Sequence, residues 1–205
     1  KRASETAGDT ETRRLQRRVA RCVYDRHEEL SDKILAHSSF SRIDFTAIEV
    51  DPDDLFDALD VDRCIGRAMK HNTYLMHMRI RFSTLRNLLA EEAYLGANDD
   101  PLTLDAATPA LLTNRYLYDS MSKRDSAIAN MSDCLVHADP AGSHAVLAEL
   151  PGSDGEGEAI EALSGALGKC LGSGASTGVS GSMIRQVLAD GLWSRSHFGT
   201  DGAAQ

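Results

Sequence analysis

Apolar residues recur along this chain three and four positions apart, the spacing of amphipathic helices rather than of strands. Leu15, Val19, Cys22, Val23 and Leu30 lie on one such face, and a helix is expected to start near Glu11. A second, short helix is predicted over 28–36. Asp51-Pro52-Asp53-Asp54 then opens a third, whose buried side is Leu55, Phe56, Leu59, Cys64, Ile65, Ala68 and Met69. Asp51 accepts hydrogen bonds from the first free backbone amides, and Pro52 has its φ preset for the first turn. Ser83 is read as the cap of a helix over 84–95, buried through Leu85, Leu88, Leu89 and Leu95. Further on, 125–136 turns Ile128, Met131, Cys134 and Leu135 inward, Asp139-Pro140 repeats the start signal, and 158–171 buries Ile160, Leu163, Leu167 and Cys170. A last helix covers 182–194.

The breaks are as telling as the helices. The stretch 38–50 alternates weakly through Phe40, Ile43, Phe45 and Ile48 and is read as a loop packed by its own apolar residues. Residues 96–105, with Gly96, Asn98, Asp99, Asp100 and Pro101, form a linker. Thr108-Pro109 opens a bridging helix through Leu111, Leu112, Tyr116, Leu117 and Met121, and the Gly- and Ser-rich stretch 172–181 is expected to be flexible.

A pattern recurs across that bridge. Cys22-Val23, Ile34-Leu35-Ala36, Cys64-Ile65 and Leu85-Arg86-Asn87-Leu88-Leu89-Ala90-Glu91 return in the same order as Cys134-Leu135, Val146-Leu147-Ala148, Cys170-Leu171 and Ile184-Arg185-Gln186-Val187-Leu188-Ala189-Asp190. The expected fold is therefore all-α: two tandem, divergent helical repeats, each closed by its own disulfide and joined by the bridging helix. The segments are an N-terminal tail over 1–12, repeat one over 13–97, linker and bridging helix over 98–124, repeat two over 125–198, and a tail over 199–205.

The four cysteines fall two per repeat, separated by 42 and 36 residues, far wider than the short ligand spacings of zinc sites. Four buried thiols are the alternative, but matched positions in both copies favour pairing, with Cys22–Cys64 and Cys134–Cys170 the connectivity that closes each repeat. Disulfides imply an oxidising compartment, so a periplasmic or extracellular location is expected. Lys1 is compatible with a processed N-terminus, although no signal peptide is visible. With 42% hydrophobic and 26% charged residues, the 205-residue chain has the composition of a globular domain. Its apolar runs are too short to span a membrane. A net charge of −9 and 5% aromatic residues argue against nucleic acid as a partner.

Candidate chemistry is sparse. Arg13, Arg14, Arg17, Arg18 and Arg21 make the outer face of the first helix basic, either a solvated face or a docking surface for an acidic partner or lipid headgroups. That leaves peripheral membrane attachment open. Arg86 and Arg185 sit in the first turns of their helices, where the helix dipole opposes their charge, so each needs a specific partner. A carboxylate on another helix of the same repeat is the expected one, Glu91 and Asp190 across repeats the alternative, and a binding role the third.

Gly174-Ala175-Ser176-Thr177-Gly178 fits a nucleophile elbow, with Asp190 and His197 downstream, but no apolar strand precedes it. Gly168-Lys169-Cys170 lacks the earlier glycine and the hydroxyl of a phosphate loop. The acidic run from Glu49 to Asp62 is explained by helix capping. His27, His37, His71, His77, His137, His144 and His197 show no ligand spacing. No catalytic residue, metal or cofactor is assigned.

Cys134, Asp139, Pro140, His144, Leu147, Pro151-Gly152-Ser153, Cys170, Arg185, Leu188, Ala189 and Trp193 carry a resemblance to uncharacterised, exported helical proteins of alphaproteobacteria. The first repeat departs from it by a longer middle and no Asp-Pro opening. The resemblance implies export and a helical fold, and no activity. The expected function is a non-enzymatic interaction or assembly module, or an accessory subunit of an extracytoplasmic complex, whose partner is another protein. The alternatives are a hydrolase built around Ser176 and a small-ligand carrier with a pocket between the repeats.

Overall fold

In the computed structural model the apolar periodicity folds into helices alone among the described residues, which are 8–69, 80–104, 122–171 and 180–199. The elements are α1 (Asp9–Arg26), α2 (Glu28–Ala36), α3 (Phe45–Ile48), a 3-10 turn (Pro52–Asp54), α4 (Leu55–Ala58), α5 (Val61–Met69), α6 (Phe82–Ala97), α7 (Lys123–Ala138), α8 (Pro140–Ala148), α9 (Asp154–Ala162), α10 (Ser164–Leu171) and α11 (Gly181–Phe198). The extended pairing among them is one isolated bridge, Ser38 to Ile43. The bridging helix through Leu111 and Met121 and the Gly/Ser stretch with Ser176 lie outside the described residues.

Short polar side chains set many of the helix starts by accepting from otherwise free amides. Ser122 accepts from Asp125 N, Asp139 from Gly142 N, Ser153 from Glu156 N and Ser180 from Met183 N. Where no such cap exists, packing sets the entry. Helix α6 begins at Phe82 behind an uncapped Arg81, rather than behind Ser83. The Phe82 ring meets Phe45 and Phe56 edge-on at centroid distances of 5.5 and 4.9 Å, and these contacts fix the approach of the chain.

Two expected long helices are each broken once. The helix opened by Asp51 stops at Ala58 and restarts at Val61, because Asp60 takes a left-handed φ of 51°. Its carboxylate accepts from Arg26 Nη2 at 2.7 Å and lies 3.3 Å from His27 Nε2, so a tie to the end of α1 holds the kink. The stretch over 158–171 belongs to α9 and α10, which meet at Leu163. That side chain is fully buried and packs over Gly142 of α8, which turns the chain there. Helix α1 also starts earlier than expected, at Asp9, inside the segment read as a tail.

The core is built on the crossing of α6 and α11, the most extensive helix contact among the described residues. Leu85, Leu89, Ala90 and Tyr94 from α6 meet Val187, Leu188, Ala189 and Leu192 from α11, all at most 1% exposed. Helices α1 and α2 pack on α6, and α7 and α8 pack on α11. Cys22–Cys64 ties α1 to α5 and Cys134–Cys170 ties α7 to α10, with Cα atoms 5.6 and 5.8 Å apart. The expected pairing is the observed one.

Helices α7 and α11 approach closely at Gly191. A Cβ there would sit 2.5 Å from Ser132 Oγ and 2.8 Å from the Ser132 carbonyl oxygen. Ser132 is anchored, since its hydroxyl donates to the Val187 carbonyl at 2.9 Å. Gly191→Ala is therefore expected to lose about 1–3 kcal/mol through overpacking, although alanine is the better helix former. Urea denaturation of the two proteins measures this; an unchanged or raised midpoint would show that the helices can part at no cost.

Candidate functional site

The arginines of α1 do not form one solvated stripe. Their positions on an 18-residue helix spread them over a wide arc, and packing on α6 pulls part of that arc inward. Arg13 Nη2 lies 2.6 Å from Glu156 Oε1, and Arg17 Nε lies 2.9 Å from Glu91 Oε1 and 3.2 Å from Glu92 Oε1. Arg21 Nε donates to Glu92 Oε2 at 2.8 Å while 59% of its side chain stays exposed. Arg18 stays outside as well, 51% exposed and 3.4 Å from Glu11. Arg14 donates from Nε to the Pro151 carbonyl at 3.0 Å, and among the described residues it has no carboxylate partner.

Beneath them sits a network that the two central helices share. Arg185 donates from Nε and Nη2 to both oxygens of Glu91 at 2.8 and 2.7 Å. It also donates to Glu156 Oε1 at 3.0 Å and to the carbonyls of Val146 and Leu147 at 2.8 Å each. All five guanidinium donors are thereby engaged. At the other end of the crossing Arg86 pairs with Asp190, donates from Nε to Ser38 Oγ at 2.8 Å, and lies 5.9 Å from the centre of the Trp193 ring. Between the two pairs, Asn87 Nδ2 donates to Gln186 Oε1 at 3.4 Å. The arrangement is reciprocal, the arginine of each helix meeting the acid of the other. Both arginines are at most 3% exposed, so their charges are used inside the protein rather than at a partner surface. Arg185 finds the expected carboxylate of its own half in Glu156 on α9 as well as Glu91 of the facing central helix, whereas the carboxylate that Arg86 meets, Asp190, comes from the facing central helix.

Burial sets the proton affinities. It pushes the Glu92 carboxyl above the usual glutamate range, and the hydrogen bond from Arg21 only partly reverses this. At Glu156 burial again pushes upward, but hydrogen bonds from Arg13, the Gly152 amide and Arg185 prevail, so this carboxyl is held below its usual range. Burial works against the Arg185 charge, yet Glu91 and Glu156 keep its pKa raised. Hydrogen bonding thus favours the charged forms of Glu156 and Arg185, while burial works against the charge on Glu92.

Where α1 faces the turn after α8, Arg14, Arg17, Arg18 and Arg21 line a groove of about 440 Å³ with Leu150 and Pro151 on its other wall. Among the described residues no carboxylate lines it. Arg17 Nη1 donates to the Glu149 carbonyl at 3.2 Å, a second tie between helix and turn beside that of Arg14. Leu150 is 59% exposed, and it is the large apolar side chain left exposed among the described residues. Compared with family models, with curated proteins and with solved structures, the chain matches none. What the groove does is therefore argued from its own geometry.

The remaining candidates are placed as follows. Asp190, the acid available to a Ser176 triad, is buried against Arg86. His197 stacks on Trp193 with ring centroids 4.9 Å apart. His144 Nδ1 lies 2.9 Å from Tyr94 Oη, joining α8 to α6. A cleft between α1, α6 and α11, lined by Arg13, Leu88, Glu91 and Arg185 among others, holds about 160 Å³, below the range of ordinary small-molecule pockets. Among the described residues no three His, Cys, Asp or Glu side chains gather as metal ligands, and no helix is long and apolar enough to cross a membrane.

Sequence reasoning missed Glu92, Glu156 and Leu150. Glu92 carried a signal: with Glu91 it forms an acidic pair set between the apolar runs Leu88-Leu89-Ala90 and Ala93-Tyr94-Leu95, which calls for buried cations. Leu150 carried none, because a leucine in a turn is usually covered.

Proposed function

We propose that the protein is a non-enzymatic interaction module, an accessory subunit of a complex outside the cytoplasm, and that it offers its partner the groove between α1 and the turn after α8. The observation that carries this reading is the groove itself. A chain with a net charge of −9 places four arginines and, among the described residues, no carboxylate along one concavity, with an exposed leucine on the facing wall. Both walls are held by hydrogen bonds from Arg14 and Arg17, so the surface is preorganised and little ordering entropy is lost on binding. The two disulfides support an oxidising compartment.

The scaffold is further read as a duplicated unit. Each half places a cysteine-tied long helix against its own central helix, and Arg86 with Asp190 mirrors Arg185 with Glu91 across the crossing. Such reciprocity supports the reading of two like units related by an approximate two-fold.

Purification without reductant, from the cells that make the protein, tests the interaction reading. The chain is expected to elute in a complex well above its own 22.2 kDa. Elution as a monomer at every step, including after chemical cross-linking of intact cells, would overturn it.

A further inference from the structure

We infer that the groove takes an extended acidic protein segment, with carboxylates at alternate positions and an aliphatic side chain between them. This rests on the interaction reading above and adds the chemistry of the partner.

Three features select that chemistry. First, Arg14, Arg18 and Arg21 are spaced four and three residues apart on α1 and span about 10 Å along its axis. In an extended segment, side chains at alternate positions lie about 6.7 Å apart on one face, which matches the separation of about 6 Å between Arg14 and Arg18 along the helix. Second, the guanidinium groups are unevenly committed. Arg14 and Arg21 each donate only from Nε among the described residues, and Arg18 only to a half-exposed Glu11, so planar donor pairs remain for incoming carboxylates. Third, Leu150 stands on the opposite wall, 59% exposed, where an aliphatic side chain of the same segment would cover it.

A lipid surface fits less well. The basic residues line a concavity, the apolar side of α1 (Leu15, Val19, Val23) is fully buried in the core, and no apolar stripe accompanies the arginines. Nucleic acid needs a broad positive field, and this patch of four arginines sits on a chain of net charge −9.

The test is fluorescence anisotropy on the purified, oxidised protein with the labelled peptide ELEDELED, the basic peptide KLKKKLKK, and vesicles of phosphatidylglycerol with phosphatidylcholine. Saturable binding of ELEDELED that weakens with added salt is expected, with no binding of KLKKKLKK. Arg18→Glu and Leu150→Asp, both at exposed positions, are each expected to weaken it about tenfold, with unchanged circular dichroism. Arg124→Glu, an exposed site on α7, should leave it within about twofold. An equal loss in Arg124→Glu would reduce the effect to net charge and overturn the proposal. So would vesicle binding with an inert ELEDELED, or no saturable peptide binding. If the native complex persists with Arg18→Glu and Leu150→Asp while the peptide fails, the partner chemistry is wrong and the interaction reading stands. A monomer in cells sinks both.

Discussion

Arg185→Ala is expected to remove about 3–5 kcal/mol of folding stability, the largest effect of any single substitution considered for this protein. The side chain is 3% exposed and its guanidinium is engaged at every donor. Its loss leaves Glu91 with only Arg17, Glu156 with only Arg13 and the Gly152 amide, and frees the carbonyls of Val146 and Leu147 in a space that alanine does not fill. The cost is that of stranding buried charge, and it does not measure the net contribution of the pair to stability. A double-mutant cycle with Glu91→Gln separates the two, since the double substitution should be less destabilising than the sum of the singles. By contrast Arg18→Ala, at an exposed ion pair, should change stability by less than about 0.5 kcal/mol. Urea unfolding checks both. A loss below about 1 kcal/mol for Arg185→Ala would mean that water or a rearranged Arg13 takes over the site.

The second large effect concerns the disulfides. Closing loops of 42 and 36 residues removes chain entropy from the unfolded state, worth about 4 kcal/mol for each bridge in the loop-closure treatment. A domain of this kind has about 5–15 kcal/mol in total. Reduction is therefore expected to bring the chain near its unfolding threshold, with a much lower urea midpoint and a weakened thermal transition. The intact protein, analysed by mass without reductant, should lie four hydrogen atoms below the reduced mass. Four reactive thiols in the native protein would remove the ground for an extracytoplasmic location. Replacing Cys22 and Cys64 alone, then Cys134 and Cys170 alone, tests whether the halves depend on their bridges equally.

Much of the architecture follows from local rules that act within one or two turns of chain. The helical period, the Asp-Pro caps and the matched cysteines were legible because each cap depends on neighbours in sequence: Asp51 accepts from the Asp53 amide and Asp139 from the Gly142 amide, whereas the cap read at Ser83 gave way to packing at Phe82. The pairing of Cys22 with Cys64 and Cys134 with Cys170 was legible because the recurring order leaves one connectivity that closes each half. Whether 172–179 or 105–121 behave as expected lies outside the described residues.

The tertiary structure decided everything that depends on which faces meet. Continuous periodicity through Asp60 and Leu163 gave no warning of a break, since one is tied to the end of α1 and the other turns over a glycine of α8. The five arginines from Arg13 to Arg21 could not be divided into buried and exposed from spacing alone. The division follows from the angle at which α1 crosses α6, which brings Glu91 and Glu92 under Arg17 and Arg21 and leaves Arg14 and Arg18 on the groove. Likewise the partners of Arg86 and Arg185 follow from the crossing of α6 with α11, a contact between residues about a hundred positions apart. By itself the sequence determined a disulfide-held, all-helical chain with a basic first helix. Only the packing of that helix, a long-range consequence of apolar burial, decided which of its charges face inward and which can meet a partner.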